Sequence, residues 1–379
     1  MIDPQWFFNS LTENGIEFYT GVPDSLLKNI CSYITDNTTS EKHVMAANEG
    51  GAMAVAMGYH LATKKLPLVY MQNSGLGNAT NPILSLLDQQ AYSIPALMMI
   101  GWRGEPNVSD EPQHTKQGRI TLSLLDTMEI PYEVLGPELG QEEVATLVKA
   151  LVFRARNENR CCALVIKKNT FAPYALQSTE EFKRPMNREQ VINLIAETLG
   201  GHDVVVSTTG VASRELFECR AALGQSHKQD FLTIGGMGHA SQIALGIALS
   251  KPERQVFCLD GDGAFLMHMG GVAISATSGV ANYRHIVFNN AAHDSVGGQP
   301  TVCGHIDIVT IAKAVRFDWV ELATNAEEIK SALLRMREIN GTALLEIQMC
   351  KGFRKNLGRP TTSPTDNKNE FMGFLANVF

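Results

Sequence analysis

Short apolar runs rich in valine, isoleucine and leucine recur along the 379-residue chain, separated by amphipathic stretches. A run of four to six such residues has no polar face, so it reads as a strand covered on both sides. Strands of that kind alternating with helical periodicity predict parallel α/β folding. The spacing predicts strands at 17–20, 43–47, 66–71, 96–100 and 163–167 in the first half of the chain. In the second half it predicts them at 203–207, 255–259, 284–288 and 343–348, with one more opening at Phe231.

Between the halves, the stretch from Phe171 to Asn187 carries Pro173, Pro185 and polar residues without periodicity, and it reads as a linker. The expected division is a first domain over 1–172, a linker over 173–187 and a second domain over 188–379. Each domain should be a doubly wound parallel sheet of about six strands. No sequence repeat relates them. The tail from Lys351 to Lys368 is polar and basic, and is expected to wrap over a surface rather than extend a sheet.

Composition narrows the field. The net charge is −7, and no basic stripe interleaved with aromatic residues occurs, which argues against a nucleic-acid partner. The longest apolar stretches fall short of the roughly 20 residues a membrane helix needs. No secretory signal is visible at Met1-Ile2-Asp3-Pro4. The seven cysteines are odd in number and form no C-x-x-C pair, as expected of free thiols in a reducing cytoplasm.

The strongest local signal is Val256-Phe-Cys-Leu-Asp260-Gly261-Asp262-Gly263-Ala264, where a buried strand runs straight into Gly-Asp-Gly. Glycines let a ligand approach the backbone, and the following helix start offers free N–H groups to a phosphate. A second strand ends in Asn289-Asn290, with 25 residues between Gly263 and Asn289. Strand ends in a parallel sheet share the carboxyl edge, so Asp262 and an asparagine oxygen could meet over one cation. Two side-chain oxygens, a backbone carbonyl, two phosphate oxygens and a water would complete the octahedron of Mg²⁺. Taken singly, Gly-Asp-Gly is more often only a turn and Asn-Asn only a helix cap.

Gly-Asp-Gly, about 25 residues and Asn-Asn together resemble the motif of the thiamine-diphosphate enzymes. The resemblance implies that fold in both domains, thiamine diphosphate and Mg²⁺ as cofactors, and Asp262, Asn290 and the carbonyl of Ala292 as metal ligands. It places Gly261, Gly263 and Ala264 against the diphosphate, with Thr208 and Thr209 of the loop Ser207-Thr-Thr-Gly210. The turn holding Gly235 and Met237 would seat the pyrimidine, with Met237 propping the bent cofactor. Glu49, three residues ahead of Ala52 at the start of a small-residue helix, matches the glutamate that hydrogen-bonds that ring. Its carboxyl has to be buried, since desolvation helps such a group share a proton. In this family the glutamate of one subunit reaches the cofactor of another, which implies a homodimer or a higher homo-oligomer.

With no middle domain, the chain resembles the phosphonopyruvate and sulfopyruvate decarboxylases. Further stretches carry that likeness: Gly21-Val-Pro-Asp24-Ser25, Gln72-Asn73-Ser74-Gly75-Leu-Gly77-Asn78, Asp110-Glu-Pro-Gln-His114, Ala291 to Thr301 and Leu357 to Thr362. The fused chain tilts the expectation to 3-phosphonopyruvate, split without oxidation to phosphonoacetaldehyde and CO₂ in phosphonate biosynthesis. Asp24 and His114 match the acid and histidine that related decarboxylases use for proton transfer, work that suits an ordinary imidazole. Ser25, Asn73, Ser74, His114, Ser295 and Gln299 are the expected substrate contacts, as are the amides of 295–298 if a helix starts there. Arg103, Lys116, Arg119, Arg354 and Arg359 are candidate cations. Six positions after Asn290, where pyruvate decarboxylases carry a glutamate, stands Val296.

One alternative stays open. Gly236-Met-Gly238-His-Ala-Ser241, with Asp260 some way on, approximates a dinucleotide fingerprint, although Ser241 replaces its third glycine. That reading leaves Asn289-Asn290 unexplained. Sulfopyruvate is the nearest rival substrate.

Overall fold

The computed structural model describes residues 1–177 and 183–377, and the chain divides into two compact units, Met1–Thr179 and Glu180–Phe379. The first unit holds strands β1 (Tyr19–Gly21), β2 (His43–Met45), β3 (Leu68–Gln72), β4 (Ala96–Gly101), β5 (Tyr132–Leu135) and β6 (Cys161–Ile166). The second holds β7 (Val204–Ser207), β8 (Asp230–Leu232), β9 (Val256–Gly261) and β10 (Tyr283–Asn289). A two-residue antiparallel pair, β11 (Ala292–His293) and β12 (Gln299–Pro300), follows, and then β13 (Trp319–Ala323) and β14 (Ala343–Gln348).

Both large sheets are wholly parallel, in the orders β2-β1-β3-β4-β6-β5 and β13-β14-β10-β9-β7-β8. Counted within each unit, these are one order, 2-1-3-4-6-5, shared by two halves that show no sequence repeat. The direction of winding reverses between the first and third strands. In such sheets ligands bind beyond the carboxyl ends at that point of reversal. The functional region of each unit is thereby fixed before any side chain is considered.

Alternation along the strands sorts the side chains into two layers. In the first unit Tyr70, Leu97, Met99, Leu164 and Ile166 pack with the helices Pro4–Glu13, Lys28–Asn37 and Gln141–Glu158. Their neighbours Val69, Met71, Met98, Ile100 and Val165 pack on the other face with the helices Glu49–Thr63 and Pro112–Thr127. The second unit repeats the scheme. Val205, Phe257, Leu259, Ile286 and Leu345 lie on one side, and Val204, Val206, Cys258, Val287 and Leu344 on the other. All seven cysteines are free, six of them buried. No helix among the described residues is long and apolar enough to cross a membrane.

Three expectations need correction. Strands β5 and β13 were not anticipated, because Tyr-Glu-Val-Leu and Trp-Val-Glu-Leu-Ala break the apolar run. Both lie at a sheet edge, where one flank needs no apolar cover. The tail does more than wrap: Pro364–Ala376 is a helix capped by Ser363. Its Asn367 accepts from Leu232 N (3.1 Å) and donates to Asp230 O (2.8 Å), closing the open edge of β8. No α-helix starts at 295–298; Asp294–Val296 is a single 3₁₀ turn. Part of the expected linker, residues 178–182, lies outside the described residues.

Candidate active site

In the second unit the point of reversal lies between β7 and β9. A cleft opens there, lined by Thr208, Thr209, Met237, Gly261, Asp262, Gly263, Ala264, Asn290, Ala292 and Ser295, among others. Ten residues singled out from the sequence thus meet in one place. Gly235 lies outside that lining, and Gln299 is buried in β12 opposite His293.

Asp262 opens the short helix Asp262–Met267 and is 3% exposed. Burial pushes its carboxyl up to about 7, against hydrogen bonds from the Thr301 hydroxyl and the Gly263 amide. A carboxylate so desolvated is stabilised by a cation. Asn290 brings a second side-chain oxygen to the cleft: its amide donates to Asp294 Oδ2 (2.6 Å), while its Oδ1 accepts from Ala292 N (3.1 Å). Between them Ala291 takes a left-handed φ of 54°, which a non-glycine residue adopts at a cost and which turns the chain back after β10. Among the described residues, the Thr208 hydroxyl is buried without a partner in the same cleft. Hard oxygens, an uncompensated carboxylate and an orphan hydroxyl fit a magnesium diphosphate. Gly238 serves the cleft's wall: at φ 82°, a Cβ there would stand 3.0 Å from Ala264 O.

Several participants were not assigned from the sequence. Arg188, 8% exposed, lines the cleft and joins Glu215 (2.7 Å) to Asp294 (3.2 Å), so it holds the carboxylate that holds Asn290. Asn289 anchors the same turn through Glu346 Oε1 (2.8 Å) and Cys303 O (3.1 Å). Nothing in the sequence marks Arg188, which follows the linker.

The dinucleotide alternative fails on two counts. The strand order is not 3-2-1-4-5-6. Asp260, which would have to meet a ribose, is 1% exposed and faces His285 Nε2 at 3.4 Å inside the sheet.

In the first unit the reversal lies between β1 and β3, and the segment from Gln72 to Asn78 organises everything around it. Glu49, 6% exposed, begins the helix Glu49–Thr63 behind the cap Asn48. Its Oε2 accepts from Asn78 Nδ2 at 2.9 Å. Asp24 is fully buried: Gln72 Nε2 (2.7 Å) and the amides of Leu26 (2.9 Å) and Leu27 (3.3 Å) donate to it. Ser74 Oγ in turn donates to Gln72 Oε1 (2.7 Å). Asn73 donates to Arg103 O and Thr121 Oγ1, both at 2.8 Å, and accepts from Arg103 N at 3.1 Å. Its amide is therefore a strut between β3, β4 and the helix Pro112–Thr127.

Arg103 NH1 donates to Ser25 Oγ (2.7 Å), and its other nitrogens grip Asp110. His114 Nδ1 stands 3.0 Å from Asp110 Oδ1. Of the other candidate cations, Lys116 and Arg119 are exposed, and Arg354 is paired with Glu189 and Glu218.

Residues 4–129 match the thiamine pyrophosphate enzyme N-terminal TPP binding domain, and residues 208–347 match the C-terminal TPP binding domain. Phosphonopyruvate decarboxylase of Streptomyces viridochromogenes is 32% identical over 381 residues, which covers 96% of this chain and 93% of that one. The Streptomyces hygroscopicus protein of the same name is also 32% identical, covering 99% and 94%. The sulfopyruvate decarboxylase beta subunit of Methanococcus maripaludis is 28% identical and covers 50% of this chain and 98% of its own length. Along nearly its whole length, then, the chain belongs to the thiamine-diphosphate-dependent enzymes, in the family that includes the phosphonopyruvate decarboxylases.

Proposed function

We propose that the chain is a carboxy-lyase that converts 3-phosphonopyruvate to phosphonoacetaldehyde and CO₂, with thiamine diphosphate held through Mg²⁺. The observation that carries the reading is the cleft between β7 and β9, where Asp262, Asn290 and the orphan Thr208 hydroxyl converge on a chain similar over nearly its whole length to such decarboxylases.

The side-chain oxygens of Asp262 and Asn290 and the carbonyl of Ala292 would hold the metal. Thr208, Thr209 and the backbone of Gly261, Gly263 and Ala264 would take the diphosphate, with Met237 against the rings. Bound thiamine diphosphate supplies the nucleophilic carbon and the electron sink for loss of CO₂. Glu49 offers Oε1 to the pyrimidine, because Oε2 is engaged by Asn78. His114 carries the proton that completes the product.

Two roles change on physical grounds. Asp24 accepts three hydrogen bonds while fully buried, an arrangement that suits a fixed acceptor steering Gln72 and Ser74 better than a proton carrier. Asn73 positions Arg103 rather than touching substrate. Ser25, Ser74, His114 and Ser295 remain the substrate contacts of this reading, and Gln299, buried in β12, does not. The family pattern adds that Glu49 serves a cofactor bound to another copy, so the working unit is a homodimer or larger, in the cytoplasm.

A coupled aldehyde assay tests the whole. Turnover of phosphonopyruvate is expected only with both thiamine diphosphate and Mg²⁺. Faster turnover of sulfopyruvate would transfer the reading to the sulfonate, and no aldehyde from either acid would overturn it.

A further inference from the structure

Asp110 has no role in the reading above, yet its carboxylate gathers more partners than any other in the first unit's candidate site. Oδ2 accepts from Arg103 Nε and from Gly104 N, both at 2.8 Å. Oδ1 accepts from Arg103 NH2 and from Glu111 N (2.7 Å), and lies 3.0 Å from His114 Nδ1. Burial works against its charge, but the bonds from Arg103, His114 and Gly104 prevail and hold the carboxyl well below the ordinary range. A carboxylate that stays ionised only accepts hydrogen bonds.

The imidazole is fixed from its backbone side as well. His114 lies in the first turn of the helix Pro112–Thr127, and its amide donates to Glu111 O at 2.9 Å. Gly104, at φ 70°, lies so close that a Cβ there would overlap His114 O. Ring and backbone are therefore both held by the turn from Arg103 to Asp110. Among the described residues, no hydrogen bond engages Nε2 of His114.

We propose that Asp110 is a positioning residue that keeps His114 in the tautomer with the proton on Nδ1, leaving Nε2 as the atom that takes up and gives back a proton. Arg103 acts one step further out: it anchors Asp110 in two places and carries the arrangement on to Ser25. The proposal rests on the reading that His114 handles a proton, but the tautomer can be measured apart from that reading.

The experiment uses the full-length holoenzyme with thiamine diphosphate and Mg²⁺. Long-range ¹H–¹⁵N correlation spectra of the histidine rings, with His114 assigned by loss of its signals in His114→Gln, are recorded for the wild type, Asp110→Ala and Asp110→Asn. The wild type is expected to show the Nδ1–H form. Both variants are expected to lose it, and kcat to fall about 10- to 100-fold while KM stays within about threefold. Asp110→Asn keeps the shape of the site if Asp110→Ala does not fold. An Nδ1–H ring that persists in the folded variant, or an unchanged kcat, would overturn the proposal. If His114→Gln itself kept wild-type kcat, the role of His114 would fall, while the tautomer result would still decide what Asp110 does.

Discussion

The Cβ that Gly75 lacks would stand 2.5 Å from Oε1 of Glu49. Glycine is needed here because the wall of the first unit's site comes within touching distance of the carboxyl oxygen that Asn78 leaves open. Gly75→Ala should therefore push Glu49 aside without disturbing the strands. The expected result is a loss of about 100-fold or more in kcat, with thiamine diphosphate affinity and circular dichroism nearly unchanged. Wild-type turnover in Gly75→Ala would show that this oxygen has no part in the reaction.

Burial pushes the Asp262 carboxyl up to about 7 despite its bond from Thr301, and the proposed metal site is tested there. In Asp262→Asn, affinity for thiamine diphosphate should drop at least about tenfold when titrated in Mg²⁺. Dialysis against a chelator should lower the melting temperature of the wild-type holoenzyme, and Mg²⁺ should restore it, because a ligand that binds only the folded state stabilises it. A melting temperature indifferent to metal would remove Asp262 and Asn290 as ligands.

Val296 closes the 3₁₀ turn that Asp294 opens, two residues on. A glutamate there would bring a second negative charge beside the carboxylate that secures Asn290, and would repel a dianionic substrate. Val296→Glu is expected to abolish turnover of phosphonopyruvate, read in the same aldehyde assay. Unchanged kinetics would dissociate this position from substrate charge.

Acid should weaken the first unit through His43. Its ring is half-buried in β2, with Nε2 2.7 Å from the Tyr70 hydroxyl, and desolvation pushes it down to about 4. An unfolded histidine titrates near 6.5, so between about 6.5 and 4 the unfolded chain takes up a proton that the folded one refuses. Stability present above pH 6.5 is lost as the pH falls, by at most on the order of 3 kcal/mol. Denaturant titrations across that range should show the decline, and His43→Gln should reduce it, leaving the share that His293, also pushed down to about 4, contributes.

The central strands, the two-sheet plan and the cleft lined by Asp262 and Asn290 were legible because each is written locally, as an apolar run or as a strand ending in glycine or asparagine. Strands β5 and β13 were not legible, because edge strands with one solvent-facing flank lose the apolar signature. For Asn73 and Asp24, whether a polar side chain faces a ligand or its neighbours depends on contacts with Arg103, Thr121 and Gln72, which no local pattern records. Arg188 was invisible for a similar reason. Its importance comes from reaching Asp294, 106 positions away in the chain.

Each sheet rests on its own pair of apolar layers. A core lesion such as Leu164→Ala should therefore deprotect amides in one half to hydrogen exchange and spare those in the other. If exchange bears this out, substitutions in the layers around Glu49 can be chosen without melting the sheet that carries Asp262 and Asn290.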